Sequence, residues 1–399
     1  MKFVSGGVTL PVGFKAAGIH CGIKKRKLDL GILCSDYPAE SAGVFTTNKL
    51  KAPHIELDKE HIKKGKVRAL LANSGNANCY NGKRGLDDAK ALIQKASTLL
   101  KVNKGEVLIA STGVIAKPLP VSLMVGRIPQ LIDKLGEDKE DGFAQAILTT
   151  DKKVKQAAIE FKIGSKVVRL AGCIKGSGMI QPHMATTLCF LTTDVEISKG
   201  ALNKALRLAV DESLNLVTVD GDMSPNDSVI ILANGLAKNK AIDLNTASFD
   251  TFTKALTLIL MKLTKMLIED AEGSTKVITI EVKGAKNRQE ARKAGFAIAN
   301  SNLVKTAFYG QDPNWGRMLS AVGSSGVSMK PEKVELSFGG IKVFKNFEPQ
   351  KVDKRKLEDI FRKPEILVTV DLKAGSESAA VLTCDLTKDY ISINAHYRT

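Results

Sequence analysis

The chain is 399 residues long, a length that suits two or three domains and a sizeable core. Its 44% hydrophobic and 25% charged residues are ordinary for a soluble globular protein, and no run approaches the roughly 20 apolar residues of a membrane span. The formal net charge of +17 invites a nucleic-acid reading, but aromatics are only 5% and KKRK (24–27) is the one basic run, so a solvated lysine surface is the better account.

The N-terminal stretch MKFVSGGVTLPVGFKAAGIHCGIKKRK has no signal-type apolar core, and its Gly and Pro residues do not suit an amphipathic transit helix; a cytoplasmic protein is expected. Along the chain, KVRALLAN (66–73), EVLIAST (106–112), KVVRLAG (166–172) and TLCFLTTDV (187–195) are short, apolar and often β-branched, as strands are. Ser198 is placed to cap a helix whose apolar face includes Leu202, Ala205 and Ala209. From Phe249 to Leu267 apolar residues recur every three or four positions, which predicts a second, longer helix. KVITIEVKG (276–284) then alternates like a half-buried strand, and QEARKAGFAIANS follows it as a helix. Strands alternating with helices predict an α/β protein, and the restart near residue 280 suggests domains over 1–280 and 281–399.

Chemistry concentrates in three loops that follow apolar strands: NSGNAN (73–78), STGVIAKPLP (111–120) and KGSGMIQPHMATT (175–187). Their glycines allow close backbone approach and inward N–H groups, while their hydroxyls offer donors and nucleophiles. Each loop alone reads as a tight structural turn; together they suggest a site built without histidine or metal. The six cysteines and five histidines show no zinc-ligand spacing and no disulfide framework, so neither a metal nor a cofactor is expected. Without a Ser/His/Asp pattern, an N-terminal threonine is the economical nucleophile, because its own α-amine serves as the base. An internal threonine gains that amine only if the chain is cut before it, and Thr186, at the end of a Gly- and Pro-punctuated loop, is the candidate.

KGSGMIQPHMATTL resembles the self-cleavage motif of the ornithine acetyltransferase (ArgJ) family. The resemblance continues in GVFTTNKLKAPH (43–54), NSGNANCYNGKRGLDDA (73–89), ILTTD (147–151), VDGDMSPNDS (219–228), EDAEGSTK (269–276), YGQDPNWGRML (309–319) and CDLTKDYISINAHYRT (384–399). It implies an α/β sandwich of paired β-sheets flanked by helices, with a smaller second α/β domain closing the cleft. It also implies autocleavage between Ala185 and Thr186, giving chains of 185 and 214 residues (399 − 185) that assemble as an α2β2 heterotetramer. Thr186 would take acetyl from N2-acetylornithine and pass it to glutamate, with Thr112 and Gly113 stabilising the oxyanion. Substrate contacts implied are Thr149 (in preference to Thr150), Lys175, Thr186, Glu272, Asn394 and Thr399. Lys175 suits a substrate carboxylate and Glu272 an ammonium.

The resemblance leaves acetyl-CoA open as a second donor. An N-terminal-nucleophile hydrolase or aminopeptidase, with water as acceptor, is the rival enzyme, and a basic nucleic-acid-binding protein the rival of another class. His183, three residues before Thr186, reads as a loop contact and not as a base. Asn314 and Arg317 of DPNWGR are candidates to line the cleft. Two departures from the family pattern stand near the site: Thr187, a second hydroxyl where Met is usual, and Ala116, where Gly is common.

Overall fold

The computed structural model describes residues 1–137, 141–181 and 187–396. A nine-stranded system fills the N-terminal part: β1 (Lys2–Val4), β2 (Phe14–Ile19), β3 (Leu30–Phe45), β4 (Val67–Asn76) and β5 (Val107–Val114), then β6 (Lys155–Ile163), β7 (Lys166–Lys175), β8 (Leu188–Thr193) and β9 (Ser228–Ala233). Helices α1 (Pro53–Lys64), α2 (Gly82–Leu100), α3 (Val121–Asp133), α4 (Gly142–Ala146), α5 (Lys199–Asp211) and α6 (Ala247–Glu269) lie between and after these strands.

The strands form two layers joined by β3. Its first half, Leu30–Cys34, pairs with β2 and β4, whereas Glu40–Phe45 pairs with β9. The register breaks between Cys34 and Ala39, where Pro38 has no N–H to give to a ladder, so the strand can leave one sheet and enter the other there.

Alternation along the strands decides the layering. Leu70, Ala72, Leu108 and Ala110 of one sheet meet Leu188, Phe190, Ile230 and Leu232 of the other in a shared core. The intervening residues face outward onto helices: Cys189, Leu191, Val229 and Ile231 with α5 and α6, and Ala69, Leu71, Val107 and Ile109 with α2 and α3. The result is a helix–sheet–sheet–helix sandwich, the paired-sheet α/β fold expected. In α6, Thr246 accepts the N–H of Phe249 as N-cap, and Phe252, Leu256, Ile259, Leu263 and Leu267 are fully buried. Burial of each such side chain is worth about 2 kcal/mol.

A second, six-stranded sheet has a core of its own. Its strands are β10 (Val277–Ala285), β11 (Glu335–Phe338), β12 (Ile341–Lys345), β13 (Glu348–Pro349), β14 (Glu365–Asp371) and β15 (Glu377–Cys384). Ile278, Ile280 and Val282 of β10 face that core, to which α7 (Arg288–Ala299), α8 (Asn302–Tyr309), α9 (Trp315–Gly323) and α10 (Lys354–Arg362) contribute. The two sheet systems touch through β15: Thr218 donates its N–H to the carbonyl of Leu382, and Cys384 enters the sandwich core. Helix α11 (Lys388–His396) then returns to the sandwich, where Tyr390 packs.

Candidate active site

Three strand ends meet at one edge of the sandwich. Strands β4 and β5 run parallel, and Gly75 and Gly113 are partners at their C-terminal ends. Lys175 ends β7 opposite Leu188, the first residue of β8. The loop that contains the proposed cleavage bond therefore leaves and re-enters the sheet beside Thr112.

Gly113 is required by its surroundings. Its φ is +128°, and a Cβ there would stand 2.5 Å from the carbonyl carbon of Gly75 and 2.6 Å from the nitrogen of Asn76. No L side chain fits that space. The NSGNAN stretch, expected to help form the site, supplies the last four residues of β4 and braces the site instead. Asn73 Oδ1 accepts from Ser111 Oγ, Ser74 Oγ donates to the Ala146 carbonyl, and Asn76 Nδ2 donates to the Lys117 and Pro118 carbonyls. Its polar groups are consumed in holding the end of β5, a supporting role that composition could not separate from a lining one.

The cleft next to Thr112 and Gly113 is lined by Thr149, Thr150, Lys175, Ser177, Met179, Asp220, Glu272, Tyr390 and Asn394 among others. Lys175 Nζ donates to Thr112 Oγ1 at 3.1 Å, and only 4% of Lys175 is exposed. Burial lowers its affinity for a proton, partly offset by the nearby Asp151 carboxylate. Asp151 is buried too, which alone would raise it, but Lys175 and Lys155 more than compensate and hold it at about 2. It accepts from Lys155 Nζ at 2.7 Å and from the Gly176 N–H at 2.8 Å, so a buried ion network anchors the start of the loop. Lys155 also bonds Asp270 at the end of α6.

Glu272 forms the opposite wall. Its carboxylate accepts from Thr150 Oγ1 at 2.7 Å and Asn394 Nδ2 at 2.9 Å, while its own N–H donates to the Ser177 carbonyl. Thr150 is also bonded to Ser177 Oγ at 2.6 Å, so its hydroxyl is occupied on both sides. Thr149 spends its N–H on Asp151, and its hydroxyl reaches the same carboxylate only at 3.5 Å, too long to hold it. Both threonines line the cleft, and Thr149 carries the weaker hydroxyl bond of the two.

Ala185, Thr186, His183 and Thr399 lie outside the described residues. The residue after Thr186 is described, and both its polar groups are committed. The Thr187 N–H donates to Asp227 Oδ1 at 2.9 Å and its hydroxyl to the Lys175 carbonyl at 2.8 Å. This departure from the family pattern thus serves structure and does not offer a second nucleophile. Ala116, the other departure, has φ +55°, where a Cβ costs about 1 kcal/mol relative to glycine.

Several site residues escaped the reading by sequence. Asp220 accepts the N–H groups of Met179 and Ile180 and the hydroxyl of Tyr390, tying α11 to the loop. Burial raises the Asp220 carboxyl above its usual range. Asp227 is wholly buried; its Oδ2 has no hydrogen-bond partner among the described residues, and burial pushes its carboxyl well above the ordinary value. Both aspartates belong to VDGDMSPNDS, a stretch quoted above for resemblance alone. Asn314 and Arg317, in contrast, do not reach this cleft. Asn314 caps α9, Arg317 donates to the Leu303 carbonyl, and the two line a separate depression.

The ArgJ family model matches residues 15–399 of this chain. An arginine biosynthesis bifunctional protein ArgJ from Caldanaerobacter subterraneus subsp. tengcongensis is 43% identical over 405 residues, with 100% of each chain covered. The protein of the same description from Symbiobacterium thermophilum is 43% identical over 402 residues, again with 100% of each covered. A crystal structure of ArgJ from Bacillus halodurans aligns with TM-score 0.51 and 40% identity, covering 52% of this chain and 98% of that one. The chain belongs to the ArgJ family.

Proposed function

We propose that the protein is the glutamate N-acetyltransferase of arginine biosynthesis. It moves acetyl from N2-acetylornithine to glutamate through an acetyl-threonine enzyme, after self-cleavage at Ala185–Thr186. The observation that carries this reading is the convergence of Thr112, Gly113, Lys175, Glu272 and Asn394 on one cleft beside the cleavage loop. Cleavage frees the α-amine of Thr186, which takes the hydroxyl proton as oxygen attacks the acetyl carbonyl. The Gly113 N–H and Thr112 hydroxyl receive the negative charge that forms on the carbonyl oxygen. Ornithine leaves with its α-amine reprotonated, and glutamate attacks the acetyl-threonine by the same path in reverse. Glu272 and Asn394, with Thr149 and Thr399, orient the amino-acid substrates, and Lys175 supplies the positive charge of the cleft. No cofactor or metal takes part in these steps.

The solved Bacillus halodurans chain supports the cleavage reading, since almost all of it covers only 52% of this chain, close to the 214 of 399 residues expected of one product. The two products are proposed to assemble as an α2β2 heterotetramer in the cytoplasm. No helix among the described residues is long and apolar enough to cross a membrane.

The experiment is ornithine release from N2-acetylornithine with and without glutamate. Glutamate is expected to accelerate release far beyond water, and an equal rate without it would mean that the enzyme is a hydrolase. A parallel assay with acetyl-CoA and glutamate separates a bifunctional enzyme from a monofunctional one. Deleting residues 394–399 removes the Asn394 contact to Glu272 and is expected to impair transfer while leaving the two-band pattern of a cleaved protein. Full activity in the truncated, cleaved enzyme would remove the C-terminus from the site.

A further inference from the structure

We infer that Lys175 acts in acetyl transfer as a positioning residue, turning the hydroxyl proton of Thr112 into the cleft; this rests on the reading of Thr112 as an oxyanion donor. An ammonium group has three donors and no acceptor, whereas a threonine hydroxyl has one proton and two acceptor sites. With the Lys175 ammonium 3.1 Å from Thr112 Oγ1, the oxygen accepts for as long as the lysine holds its proton, and the hydroxyl proton points elsewhere. Among the described residues Thr112 Oγ1 has no other partner, and Thr112 lines the cleft. The proton is left for whatever occupies that cleft.

The hydroxyl is a rotor, and an unheld rotor pays entropy or reorganisation when charge develops beside it. Lys175 removes that freedom because it is itself fixed. It ends β7, is 4% exposed, and stands near the Asp151 carboxylate, which is locked by Lys155 and the Gly176 N–H. Glu272 adds further negative charge around it, and Lys155 opposes it. The same positive charge strengthens Thr112 as a donor by polarising its O–H bond. Neither bond to Lys175 nor proton on Thr112 changes hands; the pair is set before the substrate arrives. Lys175 also lines the cleft, but little of it is exposed and its Nζ stands against the Thr112 hydroxyl.

The test is a double-mutant cycle on the cleaved enzyme, with rates expressed per cleaved molecule and folding checked by thermal melting. Lys175→Met and Thr112→Val should each lower kcat by about 10²-fold, the loss typical of one oxyanion donor. KM for N2-acetylornithine and glutamate should stay within about twofold in both variants. The double variant should be no slower than the worse single one, since both changes remove the same donor. Thr112→Ser, which keeps a hydroxyl, should retain most of the rate and remain sensitive to Lys175→Met. If Lys175→Met does not fold, Lys175→Leu, which also has no donor, is read the same way. A raised KM with kcat kept, or losses that multiply to about 10⁴-fold, would overturn the role and give Lys175 a separate contact to substrate. An unchanged kcat in Thr112→Val would instead show that Thr112 is no oxyanion donor, a failure of the underlying assignment distinguishable from the first.

Discussion

The Thr186→Ala protein is expected to remain a single chain of 399 residues and to transfer no acetyl group, whereas the unsubstituted protein is expected to run as chains of 185 and 214 residues, the second beginning Thr-Thr-Leu-Cys. Both losses follow from one deletion. In the proposed mechanism the hydroxyl is the atom that attacks the Ala185 carbonyl in cleavage and the acetyl carbonyl in transfer, and the substitution removes it. It also leaves the α-amine tied up in a peptide bond, so no base appears. Thr186→Ser is expected to cleave and to keep partial activity, because it retains the hydroxyl. The fold should tolerate either change: Thr187, the residue immediately before β8, is held independently by Asp227 and by the Lys175 carbonyl. Gel electrophoresis and N-terminal sequencing check the first claim. Recovery of active, uncleaved wild-type enzyme would remove Thr186 from the account.

Gly113→Ala is expected to cost at least about 10²–10³ in kcat, the loss of one oxyanion donor, through displacement of the backbone and not through any lost side chain. A methyl group at this position meets backbone atoms of Gly75 and Asn76 at 2.5–2.7 Å, and backbone cannot swing aside as a side-chain end can. The end of β5 must shift by several tenths of an ångström, or the strand pair must part. Either response carries the Gly113 N–H and the adjacent Thr112 hydroxyl out of line with the developing charge. Strain adds to this, because φ of +128° suits glycine alone. Melting temperature should fall too, so the informative comparison is kcat per folded, cleaved molecule. A Gly113→Ala enzyme with normal kcat would show that this strand end does not stabilise the transition state.

The main elements could be read along the chain because apolar periodicity reports local structure. The β10 alternation and the α6 spacing fall within a few residues of their observed bounds. The sandwich itself could not be derived from periodicity. β8 and β9 are buried on both faces, and an unbroken apolar run does not say which face meets helices and which meets another sheet. The turn of β3 from one sheet to the other is equally silent, marked only by Pro38. At the site, resemblance supplied Thr112, Lys175, Glu272 and Asn394, which the structure gathers around one cleft. Residue chemistry alone did not, because a single lysine or glutamate carries no sign of its neighbours. Asp220 and Tyr390 were missed for the same reason: they are 170 positions apart, and their bond has no local pattern. NSGNAN misled in the opposite direction, since a stretch rich in glycine and amides has the same composition whether it binds a ligand or braces a strand.

The acetyl-enzyme, discharged by glutamate, is the intermediate that sets this reaction apart from every alternative. Cleaved protein mixed rapidly with N2-acetylornithine in the absence of glutamate, then quenched in acid, should contain a C-terminal chain heavier by one acetyl group. Fragmentation should place that group on Thr186, and a chase with glutamate should discharge it as N-acetylglutamate. Release of ornithine at full rate with no acetylated chain at any time, or an acetyl group on any other residue, would contradict the proposed mechanism.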